Sequence, residues 1–287
     1  MRFGNEFPQR FFDMGIQEKN MIGVAAGLAT CGKIAIAATF AAFATGQVYN
    51  TIRQSIAYPK LNVKIYATHA GISVGGDGAT HQMLEDLALM RCLPNFTVLA
   101  PSDATETAKA MEAVLQHEGP TYLRIGREDE PELFTEFDDF QIGKGITLVD
   151  GSDVTLATCG TMTKQALEAA RDLKKKGVSA RVVEIHTIKP LDGALLERCA
   201  RETGALVTCE EHMIAGGLGG SVAEELSRRY PVPIRYIGVN DSFGESGSAH
   251  DLIAKYGLAP KHIVEATLDV RRAGRAAPSP VARVPRA

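Results

Sequence analysis

The first part of the chain alternates short apolar runs with longer amphipathic stretches. The apolar runs predict buried strands at residues 34–39, 63–68, 97–100 and 121–125. The amphipathic stretches predict helices at residues 18–30, 47–58, 82–91 and 104–117. Continuous apolar strands separated by helices are typical of a parallel sheet that is covered on both faces.

A second alternating set follows an irregular acidic segment at residues 128–140, which we interpret as a linker. Thr161 and Gly177 are suited to begin and end a helix at residues 162–176, the clearest one in this part. Strands are predicted at residues 154–159, 180–185, 205–210 and 234–237.

The fold prediction is therefore α/β, with two α/β domains in series at residues 1–135 and 136–270. Each domain is expected to be a mostly parallel sheet flanked by helices, and 287 residues suffice for two domains of ordinary size. Residues 271–287 are rich in Arg, Pro and Ala and lack a period, so we expect a disordered tail there.

Charge and cysteine content narrow the class of function. The tail holds five of the 31 basic residues and no acid, which leaves 26 basic against 34 acidic residues in the body. An acidic body argues against a nucleic-acid partner. No apolar run approaches the roughly 20 residues that cross a bilayer, and we expect no signal peptide and no membrane partner. Five cysteines without a CxxC spacing indicate free thiols and a cytoplasmic protein.

Two early segments have both a structural and a functional interpretation. Glu18 follows a glycine turn at the start of a predicted helix, where an acid commonly complements the helix dipole. Phe40 and Phe43 lie three residues apart among alanines. These rings could pack in the core, or they could form a flat wall for a heteroaromatic ring.

The most informative segment is the glycine-rich stretch at residues 66–82, which directly follows a predicted strand. It places His69, Asp77 and His81 at the carboxyl end of a parallel sheet, where open α/β folds bind ligands. Its glycines allow tight turns and close approach of a ligand. We expect His81 to lie near a helix N-terminus, which would disfavour its cationic form and suit a neutral proton relay.

These segments resemble the pyrimidine-binding domain of transketolase in order and spacing. The matching motifs are Gly15-Ile16-x-Glu18-x-Asn20-Met21, Thr39-Phe40-x-x-Phe43, Thr68-His69-x-Gly71 and Gly76-Asp77-Gly78-x-Thr80-His81-Gln82. The resemblance spans about residues 1–268 and continues through Pro101-Ser102-Asp103, Arg127, residues 186–192, Glu210-Glu211-His212, and residues 216–219 and 243–247. Residues 1–135 thus resemble the pyrimidine-binding domain and residues 136–270 the transketolase C-terminal domain.

The resemblance implies a binding site for the pyrimidine of thiamine diphosphate. Glu18 would hydrogen-bond the N1′ atom of that ring and promote the tautomer that removes the C2 proton of the thiazolium. Phe43, with Phe40 beside it, would stack on the pyrimidine.

The resemblance also implies substrate contacts. His69, Asp77 and His81 would bind the hydroxyl groups of the donor ketose, with the two histidines moving protons, and Arg127 would bind the sugar phosphate. The reaction would transfer a two-carbon ketol unit between ketose and aldose phosphates.

A second polypeptide is implied as well. The metal motif of thiamine enzymes begins with Gly-Asp-Gly and ends with Asn-Asn, and no Asn-Asn follows Gly76-Asp77-Gly78 or occurs anywhere in this chain. An N-terminal transketolase subunit would therefore bind the diphosphate and its Mg²⁺ or Ca²⁺ ion, while this chain holds no metal. We expect two copies of each chain in a heterotetramer.

Three alternatives remain open from the residues. Deoxyxylulose-phosphate synthase is the nearest rival, although it carries Asp-Arg where this chain has Thr68-His69. The β subunit of a 2-oxoacid dehydrogenase would not need His69, Asp77 and His81. A non-catalytic transketolase-like subunit is the third alternative, because members of the family usually have a further helix and strand before Phe7.

Overall fold

The computed structural model describes residues 2–128, 131–134 and 140–276. Its helices are α1 (Arg2–Glu6), α2 (Glu18–Thr30), α3 (Ala41–Ala44), α4 (Tyr49–Ile52), α5 (Asp86–Cys92), α6 (Ala104–Gln116), α7 (Met162–Lys175), α8 (Gly193–Thr203), α9 (Leu218–Arg229), α10 (Ala249–Lys255) and α11 (Pro260–Ala276). Its strands are β1 (Ala35–Phe40), β2 (Val63–Thr68), β3 (Thr97–Leu99), β4 (Thr121–Arg124), β5 (Ile146–Val149), β6 (Val154–Thr158), β7 (Ala180–Glu184), β8 (Thr187–Lys189), β9 (Leu206–Met213) and β10 (Ile234–Val239).

Two five-stranded sheets form the framework. The first has the order β1-β2-β4-β3-β8 and the second has the order β10-β9-β6-β7-β5. Within each sheet four strands are parallel, while β8 is antiparallel to β3 and β5 is antiparallel to β7. The predicted α/β fold with two mostly parallel sheets flanked by helices is therefore confirmed.

Strand β8 joins the two halves of the chain. It lies in the second half of the sequence but pairs with β3 of the first sheet, with Leu99 opposite Thr187. The strand has only three residues, too few to show a hydrophobic period. The strand was not predicted for this reason. The first sheet is completed by a segment from the predicted second domain.

A buried arginine also links the two sheets. Arg124 on β4 donates from Nε to Asp86 at 2.9 Å and from Nη2 to the carbonyl of Glu211 on β9 at 2.7 Å. The hydroxyl of Tyr122 donates to the same Asp86 carboxylate at 2.7 Å. All four residues are buried. Removing one partner would leave a buried charge unpaired, so this network fixes how β4 lies against β9.

A second buried cluster contains two carboxyl groups. The backbone N–H of Ser102 donates to Glu106 at 2.7 Å, and the Ser102 hydroxyl contacts both Glu184 on β7 and Thr163 on α7. Burial raises the pKa of Glu106 to about 7. Burial also raises the pKa of Glu184 well above its ordinary value, and the neighbouring Glu106 raises it further. Because the two carboxyl groups hydrogen-bond each other, they hold a proton at neutral pH.

The predicted helix at residues 82–91 is shorter in the structure, where α5 begins only at Asp86. The residues before Asp86 instead form backbone hydrogen bonds with other segments. The N–H of Gly71 donates to the carbonyl of Met83 at 2.9 Å, and the N–H of Met213 donates to the carbonyl of Leu84 at 2.7 Å. His81 therefore does not lie at a helix N-terminus. The expectation that a helix dipole acts on this histidine is wrong.

The predicted disordered tail differs in part from the structure. Helix α11 runs to Ala276, so the first six residues of the segment predicted as a disordered tail are helical, and Arg271 pairs with Asp153 at 3.2 Å. Residues 277–287 lie outside the described residues. In the predicted linker, the N–H groups of Leu133 and Phe134 donate to Asp103 at 2.7 and 2.9 Å. No helix in the described part of the chain is long and apolar enough to cross a membrane.

Candidate functional site

The candidate residues gather at the carboxyl edge of the first sheet. Strands β1 and β2 end at Phe40 and Thr68, which are paired residues in their parallel register. Helix α2 precedes β1, packs against it and must run in the opposite direction to return the chain, so its first residue, Glu18, lies at this same edge. The glycine-rich loop begins directly after Thr68. Ligands bind at such carboxyl edges in open α/β sheets.

Glu18 is largely buried at this edge of the sheet. Its surface is 9% exposed, and no residue in the described ranges donates a hydrogen bond to its carboxylate. Its carboxylate oxygens are not among the fully enclosed unpaired polar atoms of the described residues. A donor from a ligand or a second chain can therefore reach them. Phe12 and Ile16, just before it, expose 59% and 91% of their surface, which indicates a surface suited to contact with another molecule.

Four rings from two segments form one cluster beside the loop. Phe40 stacks on His69, with ring centroids 3.7 Å apart and an interplanar angle of 16°. Phe43 lies nearly parallel to Phe40 at 6.2 Å and meets His81 edge-on at 5.4 Å. All four side chains are half-buried. The two phenylalanines therefore face the histidines of the loop rather than the core alone, and Phe43 is the ring that His69 does not cover.

Each histidine follows a threonine that contacts its ring. Thr68 Oγ1 lies 3.0 Å from Nδ1 of His69, and Thr80 Oγ1 lies 2.9 Å from Nδ1 of His81. These contacts occupy Nδ1 and leave Nε2 of both rings to meet a ligand or exchange a proton. The Thr-His dipeptide occurs twice in the loop, so the sequence carried this signal, although no role was predicted for either threonine.

The environment of His69 favours its neutral form. Burial lowers the pKa of His69 below the ordinary 6.5, the guanidinium of Arg127 lowers it further, and the carboxylate of Asp77 acts in the opposite direction. The residue also has a left-handed backbone with φ of 56°. This conformation is uncommon outside glycine and recurs at functional sites. A neutral imidazole held in this way can accept a proton near pH 7.

Asp77 and Arg127 form an ion pair at the outer side of the loop. Arg127 Nη1 lies 3.2 Å from Asp77 and donates to the carbonyl of Val74 at 2.6 Å. The two side chains are 37% and 38% exposed, so their pairing contributes only about 0–1 kcal/mol. An incoming phosphate can compete for this guanidinium, because arginine binds such anions through two parallel hydrogen bonds.

The structure thus brings most of the predicted residues together. The aromatic–imidazole cluster and the Asp77–Arg127 pair are linked through His69, whose pKa responds to both charges. Glu18 lies at the same edge without hydrogen-bonding to them. Gln82 and Glu211 occur in the matched motifs but were not predicted as site residues, because their contacts with the other half of the chain appear only in the fold.

These residues fit the aminopyrimidine half of thiamine diphosphate. The carboxylate of the largely buried Glu18 matches a protonated ring nitrogen, and the half-exposed face of Phe43 matches a flat heteroaromatic ring. In the part of the chain that the structure describes, no group of three or more His, Cys, Asp or Glu residues could hold a metal ion.

Comparisons with known proteins give consistent matches along the chain. Residues 1–131 match the family model "Transketolase, pyrimidine binding domain", and residues 143–263 match "Transketolase, C-terminal domain". The chain is 46% identical to a putative transketolase C-terminal section of Methanocaldococcus jannaschii, over 93% of this chain and 84% of that protein. It is 42% identical to a 6-deoxy-6-sulfo-D-fructose transketolase subunit of a Clostridium species, over 94% and 84% of the two chains.

A solved structure supports the same relationship. The chain superposes on a split gene transketolase, described as an inactive beta4 tetramer, with a TM-score of 0.89. The two sequences are 51% identical, and the match covers 94% of this chain and 87% of the other. The likeness therefore extends through both sheets and includes the candidate site.

Proposed function

Because the chain belongs to the transketolase family, we propose that it is the C-terminal subunit of a split transketolase. In this proposal the chain binds the pyrimidine of thiamine diphosphate and the donor sugar. A separate N-terminal subunit binds the diphosphate and its Mg²⁺ or Ca²⁺ ion. The assembled enzyme transfers a two-carbon ketol unit from a ketose phosphate to an aldose phosphate.

Glu18 is the residue on which this function depends. When bound, the cofactor supplies the carbon that accepts and releases the ketol unit. Glu18 has the position and burial to hold a proton at the pyrimidine nitrogen, and its carboxylate has no competing donor from the described residues. General acid–base catalysis by a positioned group contributes about 10²–10⁴-fold to rate. Phe43 would fix the ring by stacking.

The loop residues have the chemistry to bind and orient a sugar. His69 and His81 leave Nε2 free for hydroxyl groups of the donor, and the carboxylate of Asp77 can accept hydrogen bonds from further hydroxyls. Arg127 is half-exposed at the end of this row and would bind the terminal anion. The name of the Clostridium relative contains a sulfonated ketose, so a sulfonate is a second candidate for this anion.

Two features support a partner chain. Two relatives are named as a section and a subunit of a transketolase, and the superposed structure comes from a split gene. The exposed side chains of Phe12 and Ile16 beside Glu18 also suit a surface that a second subunit covers. We assign two copies of each chain to the assembly, because closed symmetry is usual in oligomers. We assign the protein to the cytoplasm because all five cysteines are free thiols.

Turnover in a reconstituted enzyme tests the proposal. The mixture contains this chain, a candidate N-terminal subunit, thiamine diphosphate, Mg²⁺, xylulose 5-phosphate and ribose 5-phosphate. We expect activity only with both chains, and a loss of at least about 100-fold for Glu18→Gln. The matched control is Glu265→Gln, which changes an exposed glutamate on α11 and should leave turnover unchanged.

The other outcomes separate the alternatives. Turnover of 6-deoxy-6-sulfofructose instead of xylulose 5-phosphate would change the donor and retain the reaction class. Tight binding of the cofactor by the assembled chains without turnover of any ketose would contradict the proposal and favour a non-catalytic subunit.

A further inference from the structure

The second half of the chain packs directly against the back of the glycine-rich loop. Residues 243–248, which lead into α10, approach the loop backbone so closely that side chains would not fit between them. A Cβ atom on Gly78 would lie 2.6 Å from Ser246 Oγ, and one on Gly75 would lie 3.2 Å from the carbonyl of Gly247. The segment that carries Asp77 is therefore shaped by the second half of the chain as well as by its own glycines.

Gln82 is the side chain that connects the two segments. It is 6% exposed, and its Nε2 lies 3.1 Å from the carbonyl of Ile72, 3.3 Å from that of Gly75 and 2.9 Å from that of Glu245. Two of these acceptors lie in the loop and the third lies in the second half of the chain. One buried amide thus closes the loop on itself and ties it to residues 243–248.

Glu211 on β9 makes a second connection at the start of the loop. Its Oε1 accepts the N–H of Ser73 at 2.5 Å, and its Oε2 accepts the hydroxyl of Thr161 at 2.6 Å. Thr161 was predicted to cap α7 but makes no capping bond, since its hydroxyl is used here. The carboxylate also lies where a Cβ on Gly71 would stand, which explains why this position has no side chain.

We propose that Gln82 and Glu211 are positioning residues through which the second half of the chain holds Asp77 and His81 for sugar binding. Neither side chain reaches the aromatic cluster, so each acts through the loop backbone. This inference rests on the proposed function, because it assumes that the loop binds the donor sugar. It gives the second half of the chain a role in substrate affinity in addition to its role in the fold.

Hydrogen exchange in the isolated chain tests the connection without any substrate. Gln82→Met keeps the length of the side chain but removes the amide donor. We expect amides in residues 71–82 to exchange at least about fivefold faster in this variant, because a buried hydrogen bond of roughly 1 kcal/mol is lost. Exchange in β2 should stay unchanged, as should the loop in Gln116→Met, which alters an exposed glutamine at the end of α6.

Kinetics of the reconstituted enzyme test the purpose of the connection. Gln82→Met and Glu211→Met should raise KM for the ketose about five- to tenfold, while the dissociation constant of thiamine diphosphate stays within about twofold. Glu211→Gln should restore the wild-type KM, because a glutamine can accept the Ser73 N–H and donate to Thr161. A residue that only stabilises the fold would lower the active fraction at constant KM.

Each result decides the inference. Unchanged exchange in residues 71–82 for Gln82→Met would overturn it even if the enzyme were inactive. Faster exchange with an unchanged KM would overturn the positioning role. Wild-type chains that bind the cofactor without turnover would instead contradict the proposed function, while the exchange measurement still decides whether the loop is held from behind.

Discussion

At the scale of a single residue, His69 shows how the loop fixes the orientation of a side chain before a ligand binds. Its ring lies flat on Phe40, its Nδ1 contacts the preceding threonine hydroxyl, and its backbone adopts the left-handed region. These constraints fix the direction of Nε2 before any ligand arrives, which lowers the entropic cost of binding. The two charges that act on the ring, Asp77 and Arg127, oppose each other.

The opposition of these charges gives a prediction with a definite sign. Arg127→Gln removes the cation and should raise the pKa of His69, whereas Asp77→Asn removes the anion and should lower it further below 6.5. An NMR titration of the ring protons in the isolated chain measures both shifts. Asp172→Asn, on the exposed surface of α7, should leave the His69 titration unchanged. Shifts in the same direction for both variants would contradict the assigned electrostatics.

At the scale of elements, the contact between α6 and β7 contains the proton shared by Glu106 and Glu184. The pKa of Glu106 is raised from 4.5 to about 7 in the folded chain, so between these values the folded state binds more protons than the unfolded state. The contribution of this carboxyl group to stability is therefore present at low pH and is lost as pH rises towards about 7.

Replacing one member of the pair tests this linkage. Glu184→Gln keeps the shape, supplies a permanent amide donor to Glu106 and removes the competing carboxyl group. We expect the free energy of unfolding to fall less between pH 5 and pH 7 than in the wild type, by an amount on the order of 1 kcal/mol. Urea unfolding at several pH values measures it, with Glu112→Gln on the exposed face of α6 as the control. Identical pH slopes in the wild type and Glu184→Gln would contradict the shared proton.

The elements also show what the sequence could and could not predict. The strands at Val63–Thr68 and Thr121–Arg124 were predicted to within one residue, because each is a buried apolar run. Strand β8 was not, since three residues carry no period and its pairing with β3 depends on a distant part of the chain. Helix α5 was predicted too long because the local sequence does not show that residues 82–85 form hydrogen bonds with distant segments, among them those of the Gln82 side chain.

The candidate site could also be predicted only in part. The residue types on one glycine-rich loop indicated a ligand site, and the motif spacing indicated which residues would lie with Glu18 at the edge of the first sheet. The supports from the second half of the chain, Glu211 and residues 243–248, could not be predicted, because they approach the loop only after both sheets have formed.

At the scale of the whole molecule, the exposed apolar side chains near Glu18 give a prediction for assembly. Ile16 is 91% exposed at the edge that carries the site. Ile16→Asp should weaken association with the N-terminal subunit by at least about tenfold, because a buried charge without a partner opposes binding. Light scattering and titration calorimetry of the two chains measure this change, and wild-type chains should give the mass of two copies of each.

A matched variant shows whether this effect is local. Tyr58 is 83% exposed and lies ahead of β2, at the opposite edge of the sheet, so Tyr58→Asp should associate as the wild type does. If both variants weaken association equally, or if Ile16→Asp does not weaken it, the edge beside Glu18 is not part of the interface.

The most direct test of the central claim is the exchange rate of the C2 hydrogen of thiamine diphosphate in the assembled enzyme, because it needs no knowledge of the sugar. NMR of the quenched reaction in deuterium oxide would measure it for the wild type and for Glu18→Gln. We predict fast exchange only when both chains are present, and a decrease of at least about 100-fold in the variant. Exchange in the Glu18→Gln enzyme as fast as in the wild type would show that this chain does not activate the cofactor.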